Sequence, residues 1–329
     1  MAPPSTPTEE VIDPDRRIID PHHHLWLEDR PRYFLDELLA DLNSGHKIEA
    51  TVFIECRAMY RPDASAGFEP VGEVEFVNGI AAMSASGQFG PTKVCAGIVG
   101  YADLRLPELD GVLDALERAG GGRFRGIRQM ATHDPDVRLH PTPGLFLAPA
   151  FRRGFARLQQ RGLRFEAWQY HPQLPELVDL MRENPDATII LSHIGGRIGV
   201  GRYRSRQDEV FAEWQRDLRA LAAFPNANVK LGGLGMPLCG FGFEDRAEPV
   251  GSAELAQAWR PYFEFCIETF GVGRCMFESN FPVDRVSCSY RALWNAMKRI
   301  AQGASENEKQ ALFRGTAARV YAIDLATGG

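Results

Sequence analysis

Residues 18–26 read Ile-Ile-Asp-Pro-His-His-His-Leu-Trp. The run starts as a short β-rich strand, Arg17–Asp20, and ends in histidines, where a doubly wound nucleotide-binding sheet would place a glycine-rich phosphate loop. Neither GxGxxG nor GxxxxGK[ST] follows any strand candidate. Three of the chain's eight histidines sit in this one triplet, too dense a cluster for an incidental polar turn. Side chains alternate along a strand, so His22 and His24 should face one side, with Asp20 deeper on that side and His23 turned into packing. Two imidazoles at i, i+2 can share a metal ion or grip one substrate oxygen.

Seven further β-rich runs follow: Ala50–Glu55, Lys93–Val99, Phe124–Arg128, Leu163–Tyr170, Ala187–Ser192, Asn228–Leu231 and Arg274–Glu278. Their starts lie roughly 25 to 45 residues apart, room for a strand and a covering helix each time. Leu174, Leu177, Val178 and Met181 recur with the spacing of one buried helical face, as do Phe211, Trp214, Leu218 and Leu221. Helices are also expected over 253–270 and 290–300. A last one starts at the capping-box sequence Ser305-Glu-Asn-Glu308 and runs through Leu312 to Tyr321. Eight β-then-α units predict the α/β class and a single-domain (β/α)8 TIM barrel over residues 16–329. Residues 1–15 (MAPPSTPTEEVIDPD) read as a disordered or loosely packed arm. Two long polar connections, 129–149 and 234–251, follow the fourth and seventh strands. In such barrels these loops lie on the face that builds active sites, so they are candidate lid or substrate loops.

The 329 residues carry 37 Lys+Arg against 43 Asp+Glu, a formal charge of −6, which argues against a general nucleic-acid binder and an anionic-membrane binder. No run approaches the ~18 apolar residues of a membrane span, and the N-terminus lacks the basic and apolar regions of a secretory signal. The six cysteines form no CxxC pair, which fits buried free thiols and a cytoplasmic setting.

Two other stretches carry chemistry. Ser192-His193-Ile-Gly-Gly-Arg197 follows an apolar strand, with a glycine pair that permits close backbone approach. Cys275-Met-Phe-Glu278-Ser-Asn280-Phe-Pro282-Val-Asp284-Arg285 is the last strand with its exit loop. Further rim candidates close the middle strands: Glu55, Arg57, Arg125, Arg128, Trp168, Tyr170 and His171, with Arg197 four residues after His193. Arginines so placed suit bidentate recognition of a substrate carboxylate.

The three motifs together resemble the amidohydrolase superfamily, in particular a branch of small hydrolases rich in lactonases. IIDPHHHLW looks like that branch's opening, SHIGG like its sixth-strand motif and MFESNFPVD like its eighth. The likeness extends to PVGEVEF from Pro70, FRGIR from Phe124 and TAARVY from Thr316, so it covers nearly the whole chain after the arm. It implies that His22, His24 and His193 hold a divalent metal, zinc first, with the imidazoles polarising a carbonyl directly in a metal-free variant. It also implies an eighth-strand aspartate that activates water. Asn280 stands there instead, and an amide accepts no proton at neutral pH. Asp284 is then the first candidate base, with Glu278 another. The resemblance implies hydrolysis of a small lactone or related cyclic ester, and the rim candidates Arg128, Arg197, Tyr170, His171 and Glu55 are expected from their strand-end positions to bind the substrate. A non-oxidative decarboxylase of an aromatic acid and a binding protein on a decayed barrel are the alternatives. The expected partner is a small lactone bearing a carboxylate or hydroxyls, without nucleic acid or membrane, and a homo-oligomer remains open.

Overall fold

The computed structural model describes residues 9–27, 31–137 and 143–325. Eight strands form one parallel sheet in chain order: β1 (Arg17–His23), β2 (Lys47–Ile54), β3 (Lys93–Gly100), β4 (Phe124–Met130), β5 (Arg164–Trp168), β6 (Ile189–Leu191), β7 (Ala227–Leu231) and β8 (Cys275–Phe277). Helices cover the connections: α1 (Leu35–Leu42), α2 (Val71–Ala85), α3 (Leu109–Ala119), α4 (Pro149–Gln160), α5 (Leu174–Glu183), α6 (Gln207–Ala222), α7 (Ser252–Phe270) and α8 (Tyr290–Ile300). This is the expected single-domain (β/α)8 barrel, nearly closed. At the β1/β8 seam a bridge joins His23 to Phe281, His24 N donates to Phe281 O (2.8 Å) and Asn280 N donates to His22 O (3.0 Å).

Strands β6 and β8 are shorter than the sequence suggests, because the chain leaves them through left-handed residues. His193 and Ile194 have φ of 53° and 50°, and Asn280 has φ of 55°. Such non-glycine conformations cost energy and concentrate where a side chain must be aimed.

Two apolar layers hold the barrel. The larger fills the space between strands and helices. The smaller fills the interior, where Ile19, Val52, Ile54, Ile190 and Met276 pack against Val320, Tyr321 and Ile323. The last helical run, Glu306–Gln310 through Thr316–Val320, begins with the predicted Ser305 capping box. It closes the barrel floor. Arg164 Nε donates to Val320 O (2.8 Å), Arg125 Nε to Tyr321 O (2.5 Å), and Lys93 Nζ to Asp324 O (2.8 Å). Arg125 therefore sits at the floor, not at the rim: it is the second residue of β4, at the end opposite the exit loops.

The arm is tied down from Glu9 onward. Glu9 Oε1 accepts from Ser252 N (2.6 Å), Ile12 N donates to Asn295 Oδ1 (2.9 Å), and Lys298 Nζ donates to Asp13 O (2.8 Å). Polar groups of residues 9–15 thus find partners on α7 and α8; residues 1–8 lie outside the described residues. Among the described residues, no helix is long and apolar enough to cross a membrane. The six cysteines are free, and all but the half-buried Cys56 are buried.

Candidate active site

The first strand aims its histidines through an irregularity. Its register with β2 shifts between Asp20 and His23, which resets the alternation. His22 and His24 point inward and meet, Nε2 to Nε2, at 3.2 Å. His23 points outward, Nε2 2.9 Å from Thr51 Oγ1. Asp20, expected beneath the histidine pair, lies on the outer side. Its Oδ1 accepts from Ser279 N (3.0 Å) and its Oδ2 from the Tyr290 hydroxyl (3.0 Å). It stitches β1 to the exit of β8, and burial lifts its pKa to about 6.

Two of the site imidazoles are anchored through Nδ1. His24 Nδ1 lies 2.8 Å from Ile54 O, an acceptor only, so this nitrogen carries the proton and Nε2 presents a lone pair. His193 Nδ1 lies 2.7 Å from Glu278 Oε1, which also accepts from His193 N (3.2 Å). His193 Nε2 is left for the cavity. His22 Nδ1 stands 2.7 Å from Glu278 Oε2, off the line of a hydrogen bond. The left-handed turn at His193 carries its ring to within 4.5 Å of the His22 ring, centroid to centroid. Burial, reinforced by neighbouring positive groups, holds His22 and His24 well below the usual imidazole pKa, which favours their neutral forms.

A divalent cation suits this arrangement. Two imidazole nitrogens bound tetrahedrally about 2.0–2.1 Å from one ion stand about 3.3 Å apart, matching the His22–His24 spacing. Facing lone pairs at that distance repel unless a proton or a cation lies between them. His22, His193 and Glu278 also bring one ligand atom each within 4.8 Å of one another. The 2.7 Å contacts put Glu278 on the Nδ1 side of both rings, so it backs and orients them in the manner of carboxylates behind metal-bound histidines.

A buried ionic layer supports the histidines. Arg128 Nε donates to Glu55 Oε1 (2.9 Å) and its Nη2 to Glu55 O, while Nη1 stands 3.5 Å from His22 Nε2. Lys230 Nζ donates to Glu166 Oε2 and Pro21 O (both 2.8 Å) and lies 3.4 Å from His22 Nδ1. Glu166 Oε1 accepts from the Tyr321 hydroxyl (2.5 Å), linking the floor helix to the site. Sequence reasoning missed Lys230 and Glu166. A charged residue inside each buried strand run, NVKL and RFEAW, was the available signal.

The other expected site residues divide. Asn280 lines the cavity, and its Nδ2 donates to Asp284 Oδ1 (2.7 Å), leaving Oδ1 toward the open space. Asp284 is fully buried, away from the cavity, and its Oδ2 accepts from Gly235 N (3.0 Å). Both of its oxygens are engaged, Oδ1 by Asn280 and Oδ2 by Gly235, and burial raises its pKa to about 8. Arg197 also lies outside the cavity. Its Nη1 donates to Cys239 O (2.9 Å) and its guanidinium lies over the Tyr262 ring, which pins the loop after β7. Tyr170 is buried against Trp168, with its hydroxyl meeting Thr132. His171 Nδ1 accepts from Ile198 N (3.2 Å). Glu55 serves Arg128. The loop after β7 contributes Met236, Pro237 and Leu238 to the cavity wall, while residues 138–142 of the loop after β4 lie outside the described residues.

The cavity above these groups measures about 1020 Å³. His24, His193, Asn280 and Arg128 form its polar base, under Trp26, Met130 and Trp168.

The family model described as amidohydrolase matches residues 19–323. The uncharacterized protein y4mH of Sinorhizobium fredii is 32% identical, over 94% of this chain and 99% of its own. The L-fucono-1,5-lactonase of Burkholderia multivorans is 27% identical, over 93% of this chain and 96% of its own. Among solved structures, an amidohydrolase of Burkholderia multivorans with bound zinc superposes with a TM-score of 0.72 at 26% identity, covering 93% of this chain and 99% of that one.

Proposed function

The chain belongs to the amidohydrolase family, and from that premise we propose that it hydrolyses a small lactone or related cyclic ester. The observation that carries this is the convergence of three imidazoles, His22, His24 and His193, the last two anchored through Nδ1, beside an arginine at a cavity base. The lactonase relatives support the ester class.

Arg128, held by Glu55 through Nε and Nη2, keeps Nη1 for the lactone carbonyl and for the oxyanion that forms on it. Asn280 Oδ1, fixed by the bond from Nδ2 to Asp284, accepts a hydrogen bond from the attacking water. His193 Nε2 takes that water's proton. Glu278 behind Nδ1 holds the ring in the needed tautomer and stabilises the imidazolium. The protonated His193 then supplies the proton to the ring oxygen as the acyl–oxygen bond breaks. Trp26, Trp168 and Met236 keep bulk water from the reacting centre. His22, His24 and His193 would hold a divalent cation, zinc first, the metal bound in a neighbouring amidohydrolase structure. Such a cation supplies Lewis acidity toward the carbonyl and lowers the pKa of a bound water, in which case His193 is a ligand and not the base.

The test is a screen of purified protein against lactones and hydroxybenzoates, with and without chelator, after metal analysis. Lactone opening with proton release is expected. Decarboxylation of a hydroxybenzoate with no lactone opened would overturn the assignment. Loss of activity on chelation, restored by zinc, would give His193 the ligand role; activity that survives chelation would give it the base role.

A further inference from the structure

Resting on the lactone assignment above, we propose that Arg57 reads an anionic group on an otherwise apolar substrate. The preferred lactone would then be an amphipathic carboxylate, not a polyhydroxylated sugar lactone.

Three observations carry this. The first is the loop that presents Arg57. Leaving β2, the chain adopts left-handed backbone at Arg57 (φ 67°) and again at Met59 (φ 53°). Neither residue type favours that region, so something must hold it. Glu73, buried at the start of α2, does so: its Oε1 accepts from Cys56 N (2.9 Å) and Ala58 N (2.8 Å), on either side of Arg57. Packing confines the loop from below, where a Cβ on Gly72 would meet Met59 O at 2.4 Å. A strained turn clamped by a buried carboxylate fixes where Arg57 leaves the backbone.

The second is the charge balance of the wall. Two arginines line the cavity and no carboxylate does, among the described residues. Arg128 is taken up by Glu55. Arg57 is exposed and forms no ion pair or hydrogen bond through its side chain among the described residues. On the same loop, the Tyr60 hydroxyl is buried without a partner and its residue also lines the cavity. A guanidinium and a phenol on one rim suit a carboxylate, through charge-assisted hydrogen bonds.

The third is the remaining surface. At about 1020 Å³ the cavity reaches the top of the ~300–1,000 Å³ range that encloses drug-sized ligands. Its wall away from the base is carried by Trp26, Leu27, Met59, Met130, Trp168 and Met236. A sugar lactone would set hydroxyls against that wall, and unpaired polar groups are costly. An aromatic or alkyl body fits it.

The test measures kcat and KM for three probes: 3,4-dihydrocoumarin, a dihydrocoumarin carrying a carboxylate on its aromatic ring, and L-fucono-1,5-lactone. Wild type, Arg57→Met and Arg57→Lys are compared. Wild type should favour the carboxylated probe over the neutral one by roughly 10–100-fold in kcat/KM, the worth of a charge-assisted contact. Arg57→Met should erase that preference through KM, and Arg57→Lys should keep part of it. A preference absent from wild type, or retained by Arg57→Met, overturns the proposal. So does L-fucono-1,5-lactone as the best substrate, although lactone hydrolysis itself would then stand. Should no lactone be opened, the functional assignment fails, and calorimetry with 3-(2-hydroxyphenyl)propanoate decides this proposal alone. Binding weakened tenfold or more by Arg57→Met supports it; equal binding, or none, overturns it.

Discussion

Glu278→Gln removes one charge and one acceptor from the centre of the site without changing its shape. The carboxylate accepts from His193 N (3.2 Å) and lies 2.7 Å from Nδ1 of both His193 and His22. A glutamine has one acceptor oxygen and one amide donor. If its oxygen keeps the two His193 contacts, its NH2 faces His22 Nδ1 and donates to it. His22 must then carry its proton on Nε2, directed at His24 Nε2 3.2 Å away. The variant therefore closes the His22–His24 pair with a hydrogen bond. It also strips the counter-charge from behind His193. Opposite charges about 4 Å apart are worth about 4 kcal/mol at an effective dielectric of 20, so kcat should fall by roughly 10³. The measurements are kcat across pH on a lactone substrate, thermal unfolding to establish an intact fold, and histidine 15N shifts to report the tautomers. A folded variant with kcat within threefold of wild type and unchanged tautomers would refute the role given to Glu278.

His22→Ala and His24→Ala should each lower kcat by roughly 10² or more. Both side chains are buried, and His24→Ala strands Ile54 O, so a stability cost of about 1–3 kcal/mol is expected as well; near-normal turnover would reject their role. Lys230→Met leaves Glu166 buried without its cation and should cost roughly 3–5 kcal/mol in urea unfolding, with much of it recovered by adding Glu166→Gln; a loss under about 1 kcal/mol would contradict the ion pair's importance. Asp284 has a folded pKa of about 8, above its unfolded value. The folded protein therefore holds the extra proton, and this group's contribution declines as pH rises from about 4 to 8. Asp284→Asn should remove that slope, so that variant stability relative to wild type improves by at least about 1.4 kcal/mol between pH 5 and 8.5; parallel urea profiles would count against it.

All eight strands were legible in the sequence, because buried parallel strands are short apolar runs at regular spacing. The rim positions of His22, His24, His193 and Asn280 followed from those strand ends. Direction was harder to read. Asp20 turned outward because the strand slips its register after it. Arg197 and His171 occupy the predicted stretches, but the turns that follow β6 and β5 carry them into supporting contacts with Cys239 O and Ile198 N. Asp284 looked like a substitute base because it lies four residues after Asn280 in the exit loop of the same strand. Both of its oxygens are spent on Asn280 and Gly235, and Glu278 reaches the imidazoles instead. Contacts between distant strands, such as Lys230 with Glu166 and Glu278 with His22, depend on which side chains share a barrel layer, and no local periodicity encodes that.

The helix that seals the barrel floor makes the interior a dead end. With Tyr321 seated under Glu166 and apolar side chains filling the space around it, substrate and product share the mouth. A lactone that opens inside becomes a longer, more flexible acid with a new negative charge. It must back out past the doorway it came in by, where Arg57 waits for an anion. Capture and discharge thus lean on the same guanidinium in opposite directions. An arginine that recruits a scarce substrate also delays the departing acid, and the turnover of such an enzyme is set by that compromise as much as by the histidines below.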